Sequence, residues 1–289
     1  MSGTEEPTDS GGYSPDQVQH FLDRLRELRN AQPGIQIDLS YLSEQLTVQR
    51  AKTFANEALG RRLPVINRSV LNIYDIYPPN RREFLTKDEC SDIAIQLHAF
   101  AINVYAILDN AAWISMLQAG GNLAPVKVSL YKKECQAFMP EGFVEYISQP
   151  TVKKWFTDYG KVYRDSTAHR IPPYLPDRNY TTKEATRWQK LHEESMALLL
   201  NCKPGEPHDQ VNERIAKSEQ LNVEKDRLGR NSLMIALTLT GEDATHPIYL
   251  HPQLLCDWGL VQEFVQAFTQ SMRQHYGWEA PRIPPMVVN

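Results

Sequence analysis

Apolar side chains recur every three to four residues along most of this chain, the spacing of one buried face of an α-helix. Val18, Phe21, Leu22, Leu25 and Leu28 form the first such series. Ser14-Pro15-Asp16 precedes it as a cap followed by a first-turn proline, and Pro33-Gly34 is expected to stop it. Leu42, Leu46, Ala51, Phe54, Ala55 and Ala58 predict a second helix over 39–59, closed by Gly60 and the basic pair Arg61-Arg62. Over 64–80 the apolar, partly β-branched run is cut by Pro78-Pro79 and reads as a short helix or irregular chain.

The strongest pattern follows. Thr86 and Glu89 have capping-box spacing, and Ile93, Leu97, Phe100, Ala101, Val104, Ile107, Leu108, Ala111, Ala112 and Ile114 then predict a long, central, buried helix. Its sparse polar positions are ordered: Gln96, Asn103 and Asn110 fall seven apart, while His98, Tyr105 and Asp109 follow a neighbouring stripe. Polar groups on so apolar a helix need partners, so the stripes should face another helix, a ligand or a subunit. For His98, Asn103, Asp109 and Asn110 the preferred role is hydrogen bonding in the core rather than direct catalysis.

Gly120-Gly121 ends this helix, and 127–139 carries no assignable pattern. Ser148-Gln149-Pro150-Thr151 opens a helix with Val152, Trp155, Phe156, Tyr159 and Val162 on its apolar side, ended by Pro172-Pro173. A further helix is predicted over 181–200, a loop over 202–208, and a polar stretch over 206–229. The apolar and threonine content of 232–240 reads as a strand that could pair with 248–250 across the turn at Gly241-Glu242-Asp243. An amphipathic helix over 254–276 closes the chain. The predicted fold class is mainly α: a helical bundle with a small β-hairpin and a C-terminal helix.

Composition narrows the function classes. The 31 basic and 35 acidic residues leave a formal charge of −4, which argues against a protein coated in nucleic acid or drawn whole to an anionic membrane. The N-terminal residues 1–12 are polar and acidic, with no apolar signal segment, and are expected to be a disordered tail. No stretch offers about twenty uncharged apolar residues, so a cytoplasmic location with no membrane partner is expected. Cys90, Cys135, Cys202 and Cys256 form no CxxC pair and read as reduced, mostly buried thiols. His246, His251 and Asp257 match no standard ligand spacing, and Trp113, Trp155, Trp188 and Trp258 read as core rather than base-stacking residues. Neither a metal nor another cofactor is expected.

The candidate chemistry lies at Arg164-Asp165-Ser166-Thr167-Ala168-His169, next to the helix-ending prolines. Asp165 and His169 are one turn apart on one helix face, so the carboxylate could orient the imidazole; it could instead turn toward Arg164 and polarise the site. Arg164 lies roughly 140° around the helix from His169. The two could meet on one ligand through the length of the arginine, a distorted last turn or a second copy of the chain. Over 151–170, Lys153, Lys154, Lys161, Arg164 and Arg170 face Asp158 and Asp165, five cations against two carboxylates, a local net of +3.

These residues resemble the motif of the HEPN superfamily: an arginine, a polar neighbour, and a histidine four to six residues after the arginine. The long apolar helix carrying Asn103, Asp109 and Asn110, followed by a helix that ends in the motif, is similar to that family's arrangement over roughly 86–200. The resemblance divides the chain into a tail (1–12), an N-terminal helical extension (13–85), a HEPN-like helical core (86–204) and a strand pair with a C-terminal helix packed on the core (205–289). A second Arg-x4-His match, Arg187 to His192, lacks the polar neighbour and the helix-ending context. Ile171 stands where some nuclease toxins of the family carry a tyrosine.

The resemblance implies a metal-independent endoribonuclease, of a toxin or phage-defence type, with RNA as substrate, a homodimeric site and a protein partner or antitoxin. It implies Arg164, His169 and Asp165 as catalytic residues, and Arg170, Lys161, Asn103 and Asp109 as contacts to substrate. The chemistry suits the residue types. A histidine that titrates near neutrality can move the proton of a ribose 2′-hydroxyl, and a guanidinium can hold the phosphate as its charge grows. The competing reading is a catalytically inactive helical module binding RNA, a nucleotide or a protein.

Overall fold

In the computed structural model, residues 12–201, 207–237 and 247–280 are described. The chain is mainly helical, as its periodicity predicts, with two small two-stranded sheets among the described residues. It forms two compact units that cut across sequence order. One contains Tyr13–Arg81, Asp88–Leu175 and the chain from Leu233 onward; the other contains Arg82–Lys87 and Pro176–Ser232. The N-terminal helices, the central helix and the C-terminal helix therefore share a unit, and 176–200 belongs with the other.

In the larger unit α1 runs Pro15–Gln45, capped by a Ser14/Gln17 capping box. It passes straight through Pro33, where a stop was expected. A proline inside a helix costs about 3 kcal/mol, but Ile35, Leu39 and Leu42 beyond it are fully buried, each contributing about 1.5–3 kcal/mol. Packing outweighs the local break. Gln262, on the C-terminal helix, donates to the Leu28 carbonyl (2.8 Å) and to Gln32 (3.2 Å) in the turn before the proline.

The next helical run also overrides its expected ends. α2 (Gln49–Thr53), a π turn (Phe54–Leu59) and α3 (Gly60–Ile76) are continuous, so Gly60 and Arg61-Arg62 lie inside a helix rather than closing one, and Pro64 is carried in its first turns. α4 (Lys87–Gln118) is the predicted central helix. Among the described residues it is the one helix long and apolar enough to cross a bilayer, yet it supplies core residues to this unit from Ile93 to Ile114. The unassigned 127–139 region holds only a 3-10 turn (Pro125–Lys127) and the one-turn α5 (Lys133–Gln136).

α6 (Glu141–Ser148) and α7 (Pro150–Trp155) follow, then a second π turn (Phe156–Gly160) and α8 (Lys161–His169), so the motif helix carries an extra residue in mid-course. His98 on α4 donates through Nε2 to the Pro173 carbonyl (3.0 Å), fixing the turn after α8; it is a structural hydrogen bond, as expected.

In the smaller unit, α9 (Thr182–Leu200, with a Thr181/Glu184 capping box) pairs with α10 (His208–Lys225), a helix the polar sequence of 206–229 did not suggest. Few of its side chains are buried, so its apolar periodicity is weak. β1 (Arg178–Asn179) pairs antiparallel with β2 (Arg230–Asn231).

Back in the larger unit, β3 (Met234–Ile235) pairs antiparallel with β4 (Ile248–Tyr249), the predicted hairpin reduced to two residues a side. Ala236 adds only an isolated antiparallel bridge to Tyr174, while 238–240 of the predicted strand, its turn and His246 lie outside the described residues, as do 1–11 of the N-terminal tail and Cys202. α11 (Leu250–Tyr276) packs along α1, tied by Arg273 to Asp38 (2.9 Å) and by Thr269 to the same carboxylate (3.0 Å). Of the three described thiols only Cys135 is buried; Cys90 is half-buried and Cys256 exposed, a correction to the expectation of mostly buried cysteines.

Candidate functional site

The π turn sets the direction of α8. In it the Lys161 amide donates to the Phe156 carbonyl, five residues back, and the wider turn shifts every later side chain around the axis. Arg164 then packs on α4, its guanidinium 4.8 Å from the centre of the Tyr105 ring. Asp165 accepts from the same guanidinium at 2.7 Å. Of the two roles weighed for Asp165, this is the second: it pairs with Arg164 and makes no hydrogen bond to His169, because the arginine is adjacent and already fixed on α4.

Around this pair lies a polar cluster that uses the α4 stripes. Asp109 is half-buried, and burial raises its carboxyl to about 6, with the charges of Arg164 and then Arg62 working against that rise. Among the described residues it makes no hydrogen bond, so its compensation is Coulombic. Burial, then the nearby Asp109 carboxylate, also raises the Tyr105 hydroxyl. Arg62, from α3, donates to Asn103 at 2.8 Å, and Asn103 donates to the Ala99 carbonyl at 2.7 Å. Asn110, oriented to satisfy its neighbours, accepts from Arg62 Nε (3.1 Å) and from the Leu59 amide (3.3 Å) in the first π turn. Burial lowers Arg62 from its ordinary value, opposed by Asp109.

The remaining motif residues stand apart from this cluster. His169 ends α8 in solvent and makes no hydrogen bond or ion pair among the described residues. Lys161 and Arg170 are exposed as well, as are Lys153, Lys154 and the acidic Asp158. Within one copy, then, the fold joins Arg164, Asp165 and Asp109 on the α4 side, reaches Asn103 through Arg62, and leaves His169, Lys161 and Arg170 exposed outside that cluster. Arg62 was missed because Arg61-Arg62 read as a helix end; nothing local distinguishes a basic residue that closes a helix from one that crosses to a neighbour.

A second feature adjoins α8. An apolar recess is lined by Leu97, Val104, Tyr159, Tyr163, Ile235 and Leu254, with Trp155 and Asp257 at one side. Asp257 Oδ1 accepts from Trp155 Nε1 and from Gln253 Nε2, both at 2.7 Å. Burial raises this carboxyl to about 7 despite the two hydrogen bonds that favour its ionised form. The remaining histidine of interest, His251, is fully buried with Tyr13, Tyr74 and Tyr77 packed on its ring. It donates through Nε2 to the Tyr77 carbonyl (2.7 Å), and burial lowers it to about 4. His251 and Asp257 thus occupy different surroundings and do not form a joint centre. No protein family, curated protein or solved structure matches the chain.

Proposed function

We propose that this protein is a metal-independent endoribonuclease of the HEPN type, acting as a homodimer in which the α8 ends of two copies form the site. One observation carries the reading. Arg164 is held in place from behind by Tyr105 and Asp165, while His169, five residues on, lies exposed beside the exposed Arg170 and has no partner among the described residues. A fixed guanidinium and an accessible imidazole are the two groups phosphodiester transfer requires. Because they lie on different sides of α8, a single copy offers a phosphate only one of them, and a second copy supplies the other.

In the proposed reaction the ribose 2′-oxygen attacks the adjacent phosphorus and the bond from phosphorus to the 5′-oxygen breaks, leaving a 2′,3′-cyclic phosphate and a 5′-hydroxyl. One histidine accepts the 2′-hydroxyl proton, and the protonated histidine of the other copy gives one to the leaving oxygen. Arg164 balances the charge on the non-bridging oxygens. Lys161 and Arg170 attract the flanking backbone. Asp109, with Asn103 acting through Arg62, has a positioning role behind Arg164.

The second reading, an inactive RNA- or protein-binding module, is favoured by the ion pair itself, since Asp165 already neutralises Arg164. Incubating purified protein with total RNA in EDTA separates the two. The nuclease reading expects cyclic-phosphate ends and at least about a 100-fold loss of rate in His169→Ala and Arg164→Ala, with a dimer by light scattering. Intact RNA under all conditions, or a strictly monomeric protein that cleaves at the same rate after both substitutions, overturns it.

A further inference from the structure

The recess beside α8 is mostly apolar; its polar-bearing lining residues are Asp257 and Gln253 of α11, together with Trp155, Tyr159 and Tyr163. Both donors that reach this carboxylate, Trp155 Nε1 and Gln253 Nε2, converge on Oδ1; Oδ2 accepts no hydrogen bond among the described residues. No lysine, arginine or histidine among them pairs with Asp257, whose titratable neighbours are the Tyr163 hydroxyl and the adjacent Cys256 thiol. Asp257 is half-buried, and a carboxylate beside an apolar wall with no counter-charge is costly for a fold to keep, because partly desolvating a charge without a partner is unfavourable. A hydrophobic residue of similar volume at 257 would remove that cost. The missing element is a cation with an apolar body.

The cavity sets the size of that body. Its volume is about 40 Å³, room for roughly three or four water-sized groups at about 10–15 Å³ each. Leu97, Val104, Ile235, Ile248 and Leu254 offer no polar atom that would orient anything beyond the charged end. We infer that the recess is a binding site for a short aliphatic ammonium ion, its alkyl chain among these side chains and its nitrogen donating to Asp257 Oδ2. Tyr159, Gly160 and Tyr163 bring the π turn and α8 into the same wall, so an occupied recess bears directly on the helix that carries Arg164. The inference does not depend on the ribonuclease reading.

The test is a titration of the whole 289-residue chain at pH 8 with n-propylamine, propan-1-ol and propionate, followed by the assigned Trp155 indole resonance and by the shift in unfolding temperature. At this pH the alkylamine, with the basicity of a lysine side chain, is protonated. Propylamine should saturate the Trp155 shift at a concentration at least tenfold below propan-1-ol, and propionate should not bind. Asp257→Asn, which keeps an oxygen for Trp155 and Gln253, should abolish the tenfold preference while the alcohol binds as before. Ala101→Leu, which fills the recess from α4, should remove both ligands; thermal unfolding of each variant reports whether it folds. Equal binding of amine and alcohol, a preference that survives Asp257→Asn, or no saturable shift with any of the three ligands overturns the inference.

Discussion

At the scale of single residues, α11 holds two titratable groups that burial has pushed in opposite directions. His251 is neutral in the fold, lowered to about 4, so the stability it contributes is complete above its unfolded value near 6.5 and is lost as pH falls toward 4. Asp257 is raised to about 7. The native state then binds a proton that the unfolded chain releases near 3.8, and its stability falls as pH rises from about 3.8 to 7. Asp257→Asn should consequently leave the unfolding free energy unchanged near pH 4 and raise it above pH 7, by up to about 4 kcal/mol; chemical denaturation at the two pH values measures the difference. An equal effect at both would mean that the carboxyl does not titrate with folding. His169 and Arg164 could be found in the sequence by chemistry and spacing. Asp257 could not, since nothing near it in the chain announces that Trp155, from a helix about a hundred residues away, will deliver an indole N–H to it.

At the scale of elements, the two π turns show how a helix uses glycine. A Cβ on Gly60 would lie 3.2 Å from the Ala55 carbonyl, the group its own amide reaches to close the first π turn. A Cβ on Gly160 would meet the Trp155 ring edge at 3.5 Å, an ordinary contact. Glycine costs a helix about 1 kcal/mol relative to alanine. Gly160→Ala should therefore stabilise by up to about that amount, while Gly60→Ala should destabilise because a backbone carbonyl has nowhere to retreat. Urea unfolding of both variants checks the contrast. The same element-scale reasoning explains which sequence signals failed. Pro33 and Gly60 are sound local stop signals, and each is overridden because the apolar residues after it have a core to enter. α10 failed in the other direction: a helix that buries almost nothing leaves little periodicity to read.

For the whole molecule, burial is distributed unevenly between its helices. α4 and α11 contribute most of their apolar residues to the core, whereas only Leu191 and Ser195 of α9 and Ser218 of α10 are buried, with Ser195 and Ser218 bonded to each other at 2.8 Å. Local opening costs least where least apolar surface is buried. Amides in α9 and α10 should exchange at least about 100-fold faster than those in the middle of α4 and α11, measurable by native-state hydrogen exchange; equal protection would mean that the whole chain opens as one cooperative unit. The chain itself determined the helical class, the long central helix, the helix that ends at the proline pair and the chemical identity of the motif on it, because hydrophobic period, caps and imino acids act over a few residues. Tertiary structure alone decided that Asp165 serves Arg164 and not His169, that Arg62 joins the polar stripe of α4, and that a carboxylate faces an apolar recess. Each of those outcomes turns on which surfaces meet after folding, and surfaces meet through the summed burial of residues far apart in the chain, which no local pattern encodes.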